Sequence, residues 1–403
     1  MTAPAAAAWR PSRAGWAARV AVLVAVVGGV LVATAVVPQY WADRIALAAV
    51  YAIIGLSLNV VLGYAGQVSL GHHAFVGMSA FVSAAVVTNG GQSFFAGLLV
   101  AVVVGAASAA LLGLVALRIH GLYLALITLT YGFVAVNSIF ELPALTRAGA
   151  GMPAPRPDGF TSDRAYAYLC LAFLALCLFI DWRVVRSKVG RAILAVKESE
   201  VVASSYAVDV TAYKVIAFVL SGALAGLAGS LFAHRRTIVV ANDFNFRDAL
   251  LWVLMVVVGG LGNRTGVVIG SAFFALFGFL VPLVAPLERF VLDVLHREPD
   301  ELVLVLGPLL ALLTIIRFPG GIAQQIAPVT RWLRGERFTL HPDGRKPRRR
   351  PSLPARLRRG TGHPAQDESA PDAAVDDAPA PERPAPDDAT PAARAATARG
   401  TED

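Results

Sequence analysis

Charge-free apolar runs of membrane-spanning length recur through the first 330 residues and constrain the fold more than any other feature. A helix needs about 20 predominantly apolar residues to cross the hydrocarbon core of a bilayer. Runs of that order occupy 17–37, 45–62, 74–87, 94–117, 122–140, 165–180, 215–233, 249–262, 267–287 and 302–316. They hold no Asp, Glu or Lys, and Arg19 is their only arginine. Composition agrees: 56% of the 403 residues are hydrophobic and 15% charged, against roughly 45–50% and 25% in soluble domains. Too little charge remains to cover a water-facing surface, which disfavours a soluble enzyme of one to three domains. The reading is an all-α, polytopic membrane helix bundle of about ten transmembrane helices. The runs at 74–87 and 249–262 are short and abut glycine-rich stretches, so one or both are expected to be broken or re-entrant.

Charge placement sets orientation, because short cytoplasmic loops carry the excess of Lys and Arg. Arg10, Arg13 and Arg19 flank the start of the first run and put the N-terminus in the cytoplasm. Six crossings later, the 181–214 loop carries Arg183, Arg186, Lys188, Arg191, Lys197 and Lys214. Ten crossings return the chain to the cytoplasm at Arg331, Arg334 and Arg337, while the 288–301 loop, outside, holds five acids against Arg289 and Arg297. The expected organisation is a cytoplasmic N-terminus at 1–16, a membrane domain at 17–330 with its cytoplasmic loop 181–214, and a cytoplasmic tail at 331–403. Ala33-Thr34-Ala35 also has the small-x-small form of a signal cleavage site. The apolar run continues past it to Val37, which favours a retained helix.

The tail is polar and block-charged. Residues 331–359 hold 11 basic residues against Glu336 and Asp343, and 360–403 hold ten acids against three arginines, with abundant Pro and Ala. Such a segment reads as disordered. Its basic half can meet anionic membrane lipid or act as a solvated topology anchor. The net charge of +8 is therefore mostly orientation. It does not imply a nucleic-acid partner, since neither a fold nor aromatic interleaving accompanies it.

Several chemistries find no support in the sequence. There is no G-x-x-x-x-G-K-[ST] phosphate loop, so the chain is not built to hydrolyse ATP itself. No His-Glu-x-x-His or Cys-x-x-Cys pair implies a metal, and no nucleophile–base pair implies catalysis, so no cofactor is expected. Cys170 and Cys177 lie seven apart on one run, about 10 Å along a helix axis, too far for a mutual disulfide. Proton-coupled transporters place ionisable groups inside the membrane, and these runs have none. A solute moved by this protein would draw its energy from outside the bilayer; a self-contained facilitator or channel, which needs no drive, is the alternative.

Four segments carry information. The stretch 59–77 sets Gly63, Gly66, Gly71 and Gly77 among Asn59, Tyr64, Gln67, Ser69, His72 and His73. Discontinuous helices of this kind form solute sites in transporters; an ordinary cytoplasmic turn with packing glycines is the alternative. On 122–140, Thr128 and Tyr131 share a face with Leu124, either lining a passage or bonding back to the helix. Gly222 and Gly226 form a G-x-x-x-G extended by Gly229 and Ser230, a surface for close helix packing, within the bundle or between subunits. The 181–214 loop exceeds what a helix hairpin needs, and no Pro or Gly interrupts Arg191–Ser205. A short helix of mixed character there suits docking into a partner's groove or lying in the lipid interface. A helix break is expected at Gly259, Gly260 and Gly262, before Asn263-Arg264.

These segments together resemble the M-type inner-membrane permeases of branched-chain amino acid ABC importers. The resemblance rests on Gly-Tyr-Ala-Gly-Gln-Val-Ser-Leu-Gly-His at 63–72, Gly-Leu-Tyr-Leu-Ala-Leu-Ile-Thr-Leu at 121–129, and Gly-Arg-Ala with Lys-Glu-Ser-Glu within 190–200. Tyr213-Lys214, Val-Val-Gly-Gly-Leu-Gly at 257–262 and Arg-Phe-Pro-Gly-Gly-Ile at 317–322 support it, so that 45–330 is covered and the tail is not. It implies a bacterial inner-membrane location and a complex of two permease chains, two cytoplasmic ABC ATPases and an extracytoplasmic binding protein. The cargo would be leucine, isoleucine, valine or a related hydrophobic amino acid, with urea or short amides carried by some relatives. It further implies that 190–208 is the segment inserted into an ATPase, with Arg191, Lys197, Glu198, Glu200, Val201 and Ala203 in coupling positions. Asn59, Tyr64, Gln67, Ser69, His72, Thr128 and Tyr131 become candidates for the translocation path. The chain departs from the family at Ser199, where Asn or Asp is expected, at Ser204 and Ser205, and at Ala207, where glycine is expected. Ala207 implies a longer coupling helix or an altered ATPase fit.

Overall fold

The computed structural model describes residues 13–116, 121–147, 150–280, 309, 316–317 and 320–333. Described helices fall in each of the first nine apolar runs, the ninth only as far as 280; most of the tenth, the 288–301 loop and nearly all of the tail lie outside the described residues. The chain runs α1 (Arg13–Val36), α2 (Gln39–Leu58), α3 (His72–Thr88), α4 (Phe94–Ala116), α5 (Leu122–Val134) and α6 (Pro143–Thr146). It continues through α7 (Asp163–Arg186), α8 (Lys188–Glu198), α9 (Glu200–Ser205), α10 (Val210–Arg236), α11 (Phe246–Gly259), α12 (Arg264–Leu280) and α13 (Gly321–Leu333). Two strands, β1 (Met152–Pro153) and β2 (Ile238–Val239), pair antiparallel with Met152 opposite Val239.

Among the described residues, four helices are long and apolar enough to cross a membrane: Gln39–Tyr64, Phe94–Val115, Asp163–Arg186 and Val210–Arg236. At 1.5 Å per residue, the 17 residues of α3 and 14 of α11 extend about 25 and 21 Å, short of the ~30 Å core. These are the two runs of which one or both are expected to be broken or re-entrant. The α11–α12 break falls where the glycines stood: Gly260 and Gly262 take φ of 109° and 78°, which other residues rarely reach. Asn263 then caps α12 through bonds from Thr265 N and Gly266 N at 3.1 and 3.2 Å.

The bundle is organised around α10, whose buried face is made of Ser221, Gly222, Ala225, Gly226, Ala228, Gly229 and Ser230. A Cβ on Gly222 would strike the Gly105 carbonyl of α4, and one on Gly226 the Ala101 carbonyl; one on Gly229 would strike the Val76 carbonyl of α3. The G-x-x-x-G stripe therefore packs inside this chain. Gly77 leaves room for the rings of Phe140 and Phe244, which join Phe81 and Phe232 in an aromatic cluster with centroids 5.2–6.0 Å apart.

Polar contacts gather at two ends. At the ribbon end, beside β1–β2, Arg235 pairs with Asp43 at 2.5 Å, and Arg156 bonds Asp163 at 2.7 Å while lying over the Tyr166 ring. Thr88 Oγ1 donates to the Pro153 carbonyl at 2.5 Å. At the opposite end, Arg264 pairs with Asp181 at 3.0 Å and Lys214 with Glu200 at 2.6 Å. Asp181, counted with the 181–214 loop from the sequence, belongs to α7 and is buried.

Two expectations for the loop are corrected. The uninterrupted Arg191–Ser205 helix is two helices, because Ser199 is extended (φ −164°, ψ 116°) and its hydroxyl accepts from Val202 N at 3.3 Å. Serine offers the backbone this capping alternative to helix. Nor does Ala207 lengthen the helix: α9 ends at Ser205, and Ala207 takes the left-handed φ of 58°. Val208 N bonds Ala203 O and Ala207 N bonds Ser204 O at 3.2 and 3.0 Å, a Schellman closure formed without glycine.

Candidate functional site

Two regions concentrate function-bearing geometry. The first is α8–α9. Ser187 starts α8 by accepting from Gly190 N at 3.2 Å, and Ile193 and Val196 turn inward. Lys197 reaches back to the Gly63 carbonyl at 2.8 Å, and Glu200 pairs with Lys214 at the start of α10. Ala203 is buried and seats α9 on the bundle. Arg191 bonds the Arg186 carbonyl at 2.9 Å and is exposed. Glu198 is exposed and makes no ion pair among the described residues. Val201, Val202 and Tyr206 stand 77%, 55% and 79% exposed. A short tethered helix pair with an apolar, outward-facing tip is a docking element in form.

The second region is the break between α2 and α3. Residues Asn59–Tyr64 form a π-helical turn, and 65–71 are non-helical yet mostly buried. Non-helical backbone at membrane depth survives only when buried in protein or lining a cavity. Here it is held by α5: Leu70 N donates to Thr128 Oγ1 at 2.9 Å, and a Cβ on Gly71 would strike the Thr128 carbonyl. Asn59 Oδ1 accepts from Gly262 N at 2.8 Å, joining the π turn to the α11–α12 break. Tyr64 OH donates to Asp181 at 3.3 Å, and His72 Nε2 lies 2.5 Å from Ser57 Oγ. Gln67 bonds the Ala65 carbonyl, whereas the buried Ser69 hydroxyl has no partner. Thr128 and Leu124 are fully buried, and Tyr131 packs on Phe75 with centroids 5.6 Å apart. The stripe on α5 thus faces α3, and Thr128 also bonds back to Ala125 O at 2.9 Å.

A cavity of about 630 Å³ lies beside this break, lined by His73, Thr130, Phe133, Asn137, Asn242 and Asn245, with Leu129, Val136 and Phe246. Among the described residues its polar lining groups are an imidazole, a hydroxyl and three amides, with no carboxylate, ammonium or guanidinium. None of the seven path candidates named from the sequence lines it. Asn137 had a signal there, as the one amide in the 122–140 run; Asn242 and Asn245, in a short connection, had none. Asn245 also caps α11 by accepting from Asp248 N at 3.1 Å. Among the described residues no group of three or more His, Cys, Asp or Glu could hold a metal, and both cysteines are free and buried.

Apolar helices packed through small residues, a buried irregular segment and a neutral cavity define a multi-pass membrane protein of transport type. The family described as branched-chain amino acid transport system, permease component, matches residues 40–293. The chain is 32% identical over 318 residues to the high-affinity branched-chain amino acid transport system permease protein LivM of Salmonella typhimurium, covering 72% of this chain and 70% of that protein. Identity to the Escherichia coli LivM is 31% over the same shares. A probable branched-chain amino acid transport permease protein LivM of Methanocaldococcus jannaschii is 26% identical over 41% of this chain and 48% of its own. No solved structure matches. The chain belongs to the branched-chain amino acid transport permease family and is a transport permease.

Proposed function

We propose that this permease is the inner-membrane subunit of an ATP-driven importer of branched-chain or related hydrophobic amino acids. Two cytoplasmic ABC ATPases drive it, a second permease chain completes the pathway, and an extracytoplasmic binding protein delivers the cargo. The observation that carries the reading is α8–α9, tethered to the bundle by Lys197 and Glu200 and exposing Val201, Val202 and Tyr206. In this reading Arg191, Glu198 and Val201 meet the ATPase, while Lys197, Glu200 and Ala203 transmit its movement. The basic residues of 181–214 then face the cytoplasm, as do both termini. The neutral cavity suits a zwitterion that is passed along, since fixed countercharge would retain it; His73, Thr130 and Asn137 join the path candidates.

Reconstitution tests this. The chain alone should take up no leucine with ATP present, and uptake should appear with its second permease, the ATPases and the binding protein. Val201→Asp should abolish ATPase recruitment and uptake without lowering the melting temperature of the isolated chain. Uptake by the chain alone, or full coupling by Val201→Asp, refutes the reading. Competition by urea but not leucine would replace the cargo and leave the motor assignment intact.

A further inference from the structure

We propose that the junction of α7, α8 and α10 is a binding site for one anionic phospholipid, its phosphate held by Arg183 and Arg186 and an acyl chain lying between α8 and α10. A recess of about 460 Å³ is lined there by Arg183, Val184, Arg186 and Ser187 at the end of α7, Val189 of α8, and Ile216 and Leu220 of α10. The lining divides by chemistry. The two guanidinium groups, three apart, share one helix face at the rim, while the four aliphatic side chains form the wall.

The charges are unneutralised. Among the described residues the Arg183 and Lys188 side chains form no ion pair or hydrogen bond, and the Arg186 guanidinium has only the Trp182 ring, 4.5 Å from its centroid. A cation over a ring face keeps its N–H donors free for an anion. The nearby carboxylate, Asp181, is already held by Arg264 and Tyr64. Guanidinium forks match phosphate oxygens bidentately. The α8 N-terminus, opened by Ser187, adds its partial positive charge to the same rim.

Depth points to lipid rather than to a soluble anion. Phe179 and Trp182 stack with centroids 6.0 Å apart and are both exposed, as aromatic side chains are at the headgroup level of a bilayer. Basic recesses between membrane helices bind lipid headgroups by this chemistry. An apolar wall would be of no use to inorganic phosphate.

The test uses the full chain in phosphatidylcholine vesicles and depends on neither the cargo nor the motor proposed above. Trp182 fluorescence, isolated by difference from Trp182→Phe, is quenched by brominated phosphatidylglycerol or brominated phosphatidylcholine at equal mole fraction. Phosphatidylglycerol should quench in strong preference, and Arg183→Gln/Arg186→Gln should lose about fivefold of that preference for each arginine removed. Arg183→Lys/Arg186→Lys should keep most of it, which separates charge from misfolding. Excess glycerol phosphate should leave the quenching unchanged. Equal quenching by the two lipids, or a preference untouched by the glutamines, overturns the site. Displacement by glycerol phosphate overturns lipid as the occupant.

Discussion

Glu198 and Glu200 stand two residues apart in one acidic motif, yet the structure gives them separate duties that neutralisation should separate. Lys214 is 2% exposed, and Glu200 Oε1 lies 2.6 Å from its Nζ. At that distance the Coulomb attraction is about 1.6 kcal/mol in bulk water and about 6 kcal/mol at an effective dielectric of 20. The Glu200 side chain is 38% exposed, which draws the value toward the lower bound by solvent screening. Removing one partner also strands a buried cation, a change that costs about 3–5 kcal/mol when both groups are fully buried. Glu200→Gln should therefore destabilise the chain by about 2 kcal/mol. Glu198, exposed and without an ion pair among the described residues, should tolerate Gln within about 0.5 kcal/mol.

The assay is thermal unfolding of the purified chain in one detergent. Glu200→Gln should melt lower on the order of 5 °C, and Glu198→Gln should melt with the parent. Lys214→Met in the Glu200→Gln background removes the stranded cation and should recover most of the loss. Equal stability of all four chains, or equal damage from both glutamines, would refute the division of roles. So would a double variant no more stable than Glu200→Gln alone.

Two further outcomes rest on the backbone. Ala207→Gly should stabilise the α9 terminus by about 1 kcal/mol, because a left-handed non-glycine residue costs about 1–2 kcal/mol; slower amide exchange at Ala207 and Val208 would register it. Gly226→Val should destabilise the bundle by about 1–3 kcal/mol through overpacking, since a Cβ there meets the Ala101 carbonyl and sits 3.0 Å from Val102 Cα. A lowered melting temperature in the chain alone would show this, and it should not depend on a second subunit.

The features legible in the sequence were legible for local reasons. The helices arise from apolar runs that water cannot solvate. The α11–α12 break arises from Gly260 and Gly262, whose φ values need glycine, and from Asn263, whose short amide caps α12. The close approach of α10 arises from Gly222 and Gly226, although their partners on α4 could not be read. The features that stayed hidden depend on facing. A helix apolar on every side has no periodicity to say which face meets protein, so Thr128 and Tyr131 read either as lining a passage or as bonding back to the helix; Thr128 bonds back to Ala125 O, and both residues face α3. Their neighbours Thr130 and Asn137 line the cavity instead. The pairing of Asp181 with Arg264, distant in sequence, could not be read locally. At Ser199 the signal is local, a serine whose hydroxyl caps α9, but it competes with a stretch that holds neither Pro nor Gly and so also fits one continuous helix.

The contacts at the α8–α9 end also decide where a force on that segment would be felt. Besides the buried Ile193, Val196 and Ala203, Lys197 and Glu200 make polar links from it to the bundle, one to the Gly63 carbonyl and one to Lys214. The first ends on the π turn Asn59–Tyr64, and that turn passes the contact on through Asn59 to Gly262 and through Tyr64 to Asp181. Asp181 in turn holds Arg264 at the start of α12. The second link ends on α10, which is locked to α4 by carbonyl-to-glycine packing and cannot flex without separating two backbones. The compliant route is therefore through the π turn, where the regular i→i−4 bonding is already interrupted, and the irregular backbone of 65–71 comes directly after it. On the function proposed here, work done on α8–α9 is spent where α2 meets α3, beside the neutral cavity, rather than along the rigid α4–α10 pair.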